Sequence, residues 1–177
     1  MYGMAEDDPI TVILAHHAAH LVLCNSMERI ADSLPDKVDL AICGSVIAAL
    51  SERVEMHHRF EDDVLFPLLR RRAMSDNSLT RSLDRLGEEH EIDEGHAEEV
   101  IDLLTAIQRG SREIPPDAAG YMLRGLFESM RRHIAFENDY ILPAARRLLS
   151  NADLVDLSVG LRLVDLGPLN TGLVRRD

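Results

Sequence analysis

Two stretches of the chain carry the same chemistry in the same order. HHRFEDDVLFP (57–67) and HIAFENDYILP (133–143) align without gaps, with His, Phe, Glu, Asp and Pro identical. In each, a glutamate follows a histidine by four residues, His57 with Glu61 and His133 with Glu137. Residues at i and i+4 of a helix project from one face, so each pair reaches a single point or two adjacent ones. Neutral imidazole is a good ligand for iron, copper, zinc or nickel, and a carboxylate can bridge two cations. His17 and His90 complete the set: Ile13-x-x-x-His17 corresponds to Leu86-x-x-x-His90, so the chain reads as a duplicated helix hairpin. Four His and two Glu suit two metal ions, each with two His and a share in both bridging Glu. With an added oxo or hydroxo bridge, each ion stays short of six ligands and open to a small molecule.

Those residues need long helices to hold them. Asp8-Pro9 opens a first helix and Leu34-Pro35-Asp36 ends it; apolar periodicity then predicts helices over about 38–72, 78–108 and 117–150, with RGSREIPPD (109–117) as a turn. Each carries a seam that alternates steps of three and four, such as Leu50, Val54, His57, Glu61, Val64 and Leu68, or Leu126, Met130, His133, Glu137, Tyr140 and Ala144. The expected fold is all-α, an up-down-up-down four-helix bundle over 8–150, with a flexible N-terminus at 1–7 and a short extra helix or tail at 151–177. Near the middle of every seam the apolar rule breaks. A neutral polar group left unpaired in a core costs roughly 1–3 kcal/mol, and an ionised one much more. A metal shared at mid-depth is the economical way to satisfy them all.

Composition narrows the field. The chain has 177 residues, 46% of them apolar and 28% charged, with a formal net charge of −12. Such a field repels phosphate backbones and anionic lipid, so neither nucleic acid nor a membrane is an expected partner. The uncharged run 10–27 approaches the length of a membrane span, but His16, His17, His20 and Asn25 interrupt it, and it reads as a buried helix. The acidic start, MYGMAEDDP, lacks the positive region of a signal peptide. Cys24 and Cys43 have no CxxC spacing and read as small buried residues in a reducing cytosol, so the expected location is cytoplasmic.

Other polar residues fall around the seams. His20 is left between ligand and outer partner, and Asp93 is expected to orient an imidazole. His58 and His96 lie off the seams and are expected to face solvent. Tyr140 is either core packing or a hydroxyl near the pocket, and Phe60 and Phe136 are expected to form an apolar wall. Glu55-x-x-His58 matches a ferritin-type E-x-x-H once, without the second copy such a site needs.

The ordered pattern His17, His57-x-x-x-Glu61, His90, His133-x-x-x-Glu137 resembles the hemerythrin-like, or HHE cation-binding, family. The flanking DPITVILAHH (8–17), FEDDVLFP (60–67), EEH (88–90) and FENDYILP (136–143) resemble it too. The resemblance implies two non-haem iron ions, oxo- or hydroxo-bridged, held by these six residues within the bundle. It also implies a small diatomic or peroxide ligand, in oxygen binding, redox sensing, iron handling or response to nitric oxide or peroxide. Oxygen-carrying relatives have a second His one turn after the first on the third helix and H-x-x-x-x-D on the fourth; here Glu94 and H-x-x-x-E stand instead. That departure speaks against reversible oxygen storage and for redox chemistry at both ions. The leading expectation is a protein that binds or reacts with O2, peroxide or nitric oxide in sensing or detoxification, with oxidoreductase-type activity left open. The alternatives are a regulatory module with a structural metal, whose acidic surface or tail docks a protein partner, and an iron-buffering protein.

Overall fold

The computed structural model describes residues 8–74 and 76–163. The expectations for residues 1–7 and for the tail beyond 163 lie outside the described residues.

Helix α1 is Pro9–Ser33; the Asp8 carboxylate accepts the Ile10 N–H, and Pro9 sits where no N–H is needed. The helix stops at extended Leu34, as a residue before proline must. Helix α2 spans residues 40–73 and is capped by Asp39, which accepts the N–H groups of Ala41 and Ile42. It consists of α-helical stretches Leu40–Ala49, Glu55–Phe60 and Phe66–Ala73 joined by two π-helical turns, Leu50–Val54 and Glu61–Leu65. Helix α3 is Asn77–Gln108, capped by Asp76 and left through Gly110, whose φ of 78° favours glycine. Helix α4 spans residues 116–148 as Pro116–Phe136, a π-helical turn Glu137–Ile141, and Leu142–Leu148. Helix α5 is Asn151–Leu163. No strand occurs among the described residues.

Helix α1 packs against α4, α4 against α3, α3 against α2 and α2 back against α1, closing the expected antiparallel four-helix bundle. Helix α1 is long and apolar enough to cross a membrane by length and composition. Its inner face, including Ile13, His17, Cys24 and Met27, is buried in the bundle. Both cysteines are buried and free, and burial pushes the Cys24 thiol up to about 12 and that of Cys43 in the same direction.

The hydrocarbon core is in two parts. One, at the start of α1, gathers Ile10, Ile13, Phe60, Phe66, Leu69 and Leu83; the other gathers Cys24, Met27, Leu50, Leu104, Leu123 and Phe127. A polar layer lies between them.

The π turns at Glu61–Leu65 and Glu137–Ile141 correct the seam. In each, an N–H bonds the carbonyl five residues back, Phe66 to Glu61 and Leu142 to Glu137. Pro67 and Pro143 follow at once. A proline ring crowds the carbonyl four residues before it, and a widened turn relieves that clash. The wider turn carries the interior position from i+3 to i+4: Leu65 and Ile141 are fully buried, whereas Val64 and Tyr140, expected on the seam, are half-buried.

Helix α5 is pinned at its start by Arg72, which donates to Asp153 through Nε (2.8 Å) and Nη2 (3.1 Å). The Arg72 and Ser150 hydrogen bonds hold the Asp153 carboxyl far below the usual carboxylate range. Farther on, α5 rests on the π turn of α2 so closely that a Cβ at Gly160 would stand 2.8 Å from Val64 Cγ1. Glycine is required there by space.

Candidate metal centre

The polar layer brings all six predicted residues to one place. His17 comes from α1, His57 and Glu61 from α2, His90 from α3, and His133 and Glu137 from α4, each 5% exposed or less. They form two overlapping groups, His17, His57, Glu61, Glu137 and Glu61, His90, His133, Glu137, with the ligand atoms of each group within 4.8 Å of one another. In each half two Nε2 atoms face one another at 3.1 Å, His17 with His57 and His90 with His133.

Both carboxylates divide between the halves. Glu61 turns Oε1 to His17 (3.6 Å) and His57 (3.4 Å) and Oε2 to His90 (3.5 Å). Glu137 turns Oε2 to His17 (3.4 Å) and Oε1 to His133 (3.2 Å). Both glutamates open a π turn, a local geometry that recurs at functional sites.

Outer partners set the imidazole tautomers. His17 Nδ1–H donates to Asn138 Oδ1 at 2.6 Å, and His90 Nδ1–H donates to Asp62 Oδ2 at 2.9 Å. With the proton on Nδ1, the Nε2 lone pair points inward, as metal ligation requires. Sequence reasoning missed Asp62 and Asn138. The available signal was their equivalent position, directly after the glutamate in each copy of the repeat.

The electrostatics are those of a site built for cations. All four carboxylate oxygens of Glu61 and Glu137 are buried without a hydrogen-bond partner, a costly condition that a cation between them removes. Burial and the neighbouring Glu137 push the Glu61 carboxyl well above its usual range. Burial acts the same way on Glu137, but His133 beside it prevails and holds it at about 2. His133, in spite of burial, is held up at about 9 by Glu137. Burial, then the rings of His20 and His17, push His57 well below the imidazole range. The donor set of imidazole nitrogen and carboxylate oxygen fits a first-row transition metal.

The remaining expectations divide. His20 is buried edge-on to His57, ring centroids 4.8 Å apart, and joins neither four-residue group; burial takes it down to about 3. His96 is exposed as expected, but His58 is not: it is 5% exposed, stacked on His90 at 4.1 Å and facing Glu94 at 3.5 Å. The interior of a bundle is wider than a strict seam, so a position beside it is also covered. Asp93 is buried but accepts from Ser129 Oγ (2.7 Å) rather than from an imidazole. Phe60 is fully buried, while Phe136 is half-buried against Tyr140. Phe136 also helps line a pocket of about 180 Å³ between α3 and α4, which reaches His133 and Asp93.

Comparison with known proteins gives one family. The hemerythrin HHE cation binding domain matches residues 8–145. No curated protein matches the chain.

Proposed function

Because the chain belongs to the hemerythrin HHE cation-binding family, we propose that it is a cytoplasmic protein holding two non-haem iron ions and acting on a small oxidant. That oxidant is O2, peroxide or nitric oxide, and the output is sensing or detoxification. The observation that carries the reading is the division of the two carboxylates, each giving one oxygen to either pair of histidines with no other partner. Bound there, a ferrous pair would supply electrons for reduction of such an oxidant.

The chain's own residues do the rest. His17, His57, His90 and His133 would hold the ions through their inward nitrogen lone pairs, with Glu61 and Glu137 shared between the two groups. Asn138 and Asp62 keep the Nδ1 protons of His17 and His90 pointing outward. Phe60 and Phe66 on one side, and Met27 and Leu50 on the other, exclude bulk water. The pocket at His133 admits a molecule of a few atoms.

The test is anaerobic loading with Fe(II), elemental analysis, then exposure to O2. About two irons per chain and a new near-ultraviolet charge-transfer absorption are expected. A flat spectrum with two equivalents bound refutes the redox reading.

A further inference from the structure

The residue after each bridging glutamate does the same task in both copies of the repeat. Asp62 on α2 accepts the Nδ1–H of His90 on α3, and Asn138 on α4 accepts that of His17 on α1. One acceptor is a carboxylate; the other is an amide of the same shape. The surroundings continue the difference. His133 Nδ1 faces Glu89 Oε2 at 3.4 Å, and His58, stacked on His90, faces Glu94. The Nδ1 atoms of His57 and His133 are both buried without a hydrogen-bond partner, but only that of His133 has a carboxylate within ion-pair distance; the ring neighbours of His57 are imidazoles.

A carboxylate behind a ligating imidazole raises its basicity and sends negative charge toward the ion, whereas an amide oxygen orients the ring without that charge. Changing such an outer partner typically alters metal affinity by about 10–100-fold. We infer that the Asp62/Asn138 difference makes the two cation positions unequal, so that His90 and His133 take the first divalent ion and hold it about 10–100-fold more tightly than His17 and His57. Asp62 acts through His90 and does not touch the ion. The inference rests on the two-cation reading above, and its test separates the two.

Zn2+, which has no redox chemistry, is the probe. The full chain is titrated in mildly alkaline chelator buffer while histidine ring nitrogens are followed by NMR, with His17→Gln and His90→Gln used for assignment. His90 and His133 move in the first step, and His17 and His57 move in a second at about 10–100-fold higher free Zn2+. Asp62→Asn narrows the gap by weakening the first step, Asn138→Asp narrows it by tightening the second, and the double exchange reverses the order. Asp62 is 39% exposed and asparagine has its shape, so the variant keeps the fold, and loss of packing alone does not reverse an order of loading. One step in which all four histidines move together, a gap unchanged in Asp62→Asn, or an order unchanged in the double exchange overturns the inference and leaves the two-cation site standing. Zn2+ that moves no ring nitrogen overturns both.

Discussion

The unit at 57–67 and its copy at 133–143 place the same donors in the same arrangement but in different charge states. In the metal-free protein the α4 copy holds an ion pair, with His133 at about 9 and Glu137 at about 2. In the α2 copy burial instead favours the uncharged form of Glu61 and of His57 alike. The α2 copy is also more enclosed, with a second π turn before it at Leu50–Val54 and α5 resting on Val64. The α4 copy lies beside the pocket that reaches His133. Identical side chains therefore do not make identical half-sites, because burial and neighbouring charge bias which proton each side chain keeps.

The largest effect comes from breaking what the two copies share. Glu61→Gln and Glu137→Gln each remove a bridge, so metal content should fall at both positions, with affinity down by about 100-fold or more. His57→Gln or His133→Gln should strike its own half harder. Elemental analysis after desalting checks both; equal loss from all four variants would erase the distinction between bridge and terminal ligand.

Next comes pH. His133 lies above its ordinary 6.5 at about 9, so its contribution to metal-free stability is complete below about 6.5 and is lost as pH rises through about 9. His20, lowered from 6.5 to about 3, contributes fully above 6.5 and loses that contribution as pH falls toward about 3. Calorimetry of the metal-stripped chain should show a maximum near neutrality, with an alkaline limb of about 3 kcal/mol and an acid limb of about 5 kcal/mol. His133→Gln should flatten the alkaline limb and His20→Gln the acid one. Limbs unmoved by either variant would remove the charge difference between the copies.

The smallest effect tests the cover over one copy only. Gly160→Ala drives a Cβ into Val64, at a cost of about 1–2 kcal/mol. Amide hydrogen exchange should quicken across 61–66 and stay unchanged across 137–142. Matching changes in both turns would mean that α5 braces the bundle as a whole.

The bundle and the six converging residues were legible because they follow from helical spacing and an in-register repeat. The ends of α1 and α3 were legible from Asp8-Pro9, Leu34-Pro35 and the turn at 109–117. The π turns were not, since a rule of threes and fours assumes a uniform helix; Val64 and Tyr140 were therefore placed where Leu65 and Ile141 stand. Pro67 and Pro143 were the marks of those turns. His58 was missed because periodicity ranks positions by angle and not by how far a polar layer extends sideways. Asp93 found Ser129, a partner on another helix that no local pattern announces.

The widened turns at Glu61–Leu65 and Glu137–Ile141 also bear on tolerance to insertion and deletion. Each residue removed from a helix rotates everything beyond it by about 100°. Losing one residue there would restore a regular helix, the mildest deletion for the backbone, yet it would swing either the histidine and glutamate or the hydrocarbon beyond the proline away from the axis. Chain length between glutamate and proline is thus a phase adjustment that lets one rod face a cation and an oily interior together.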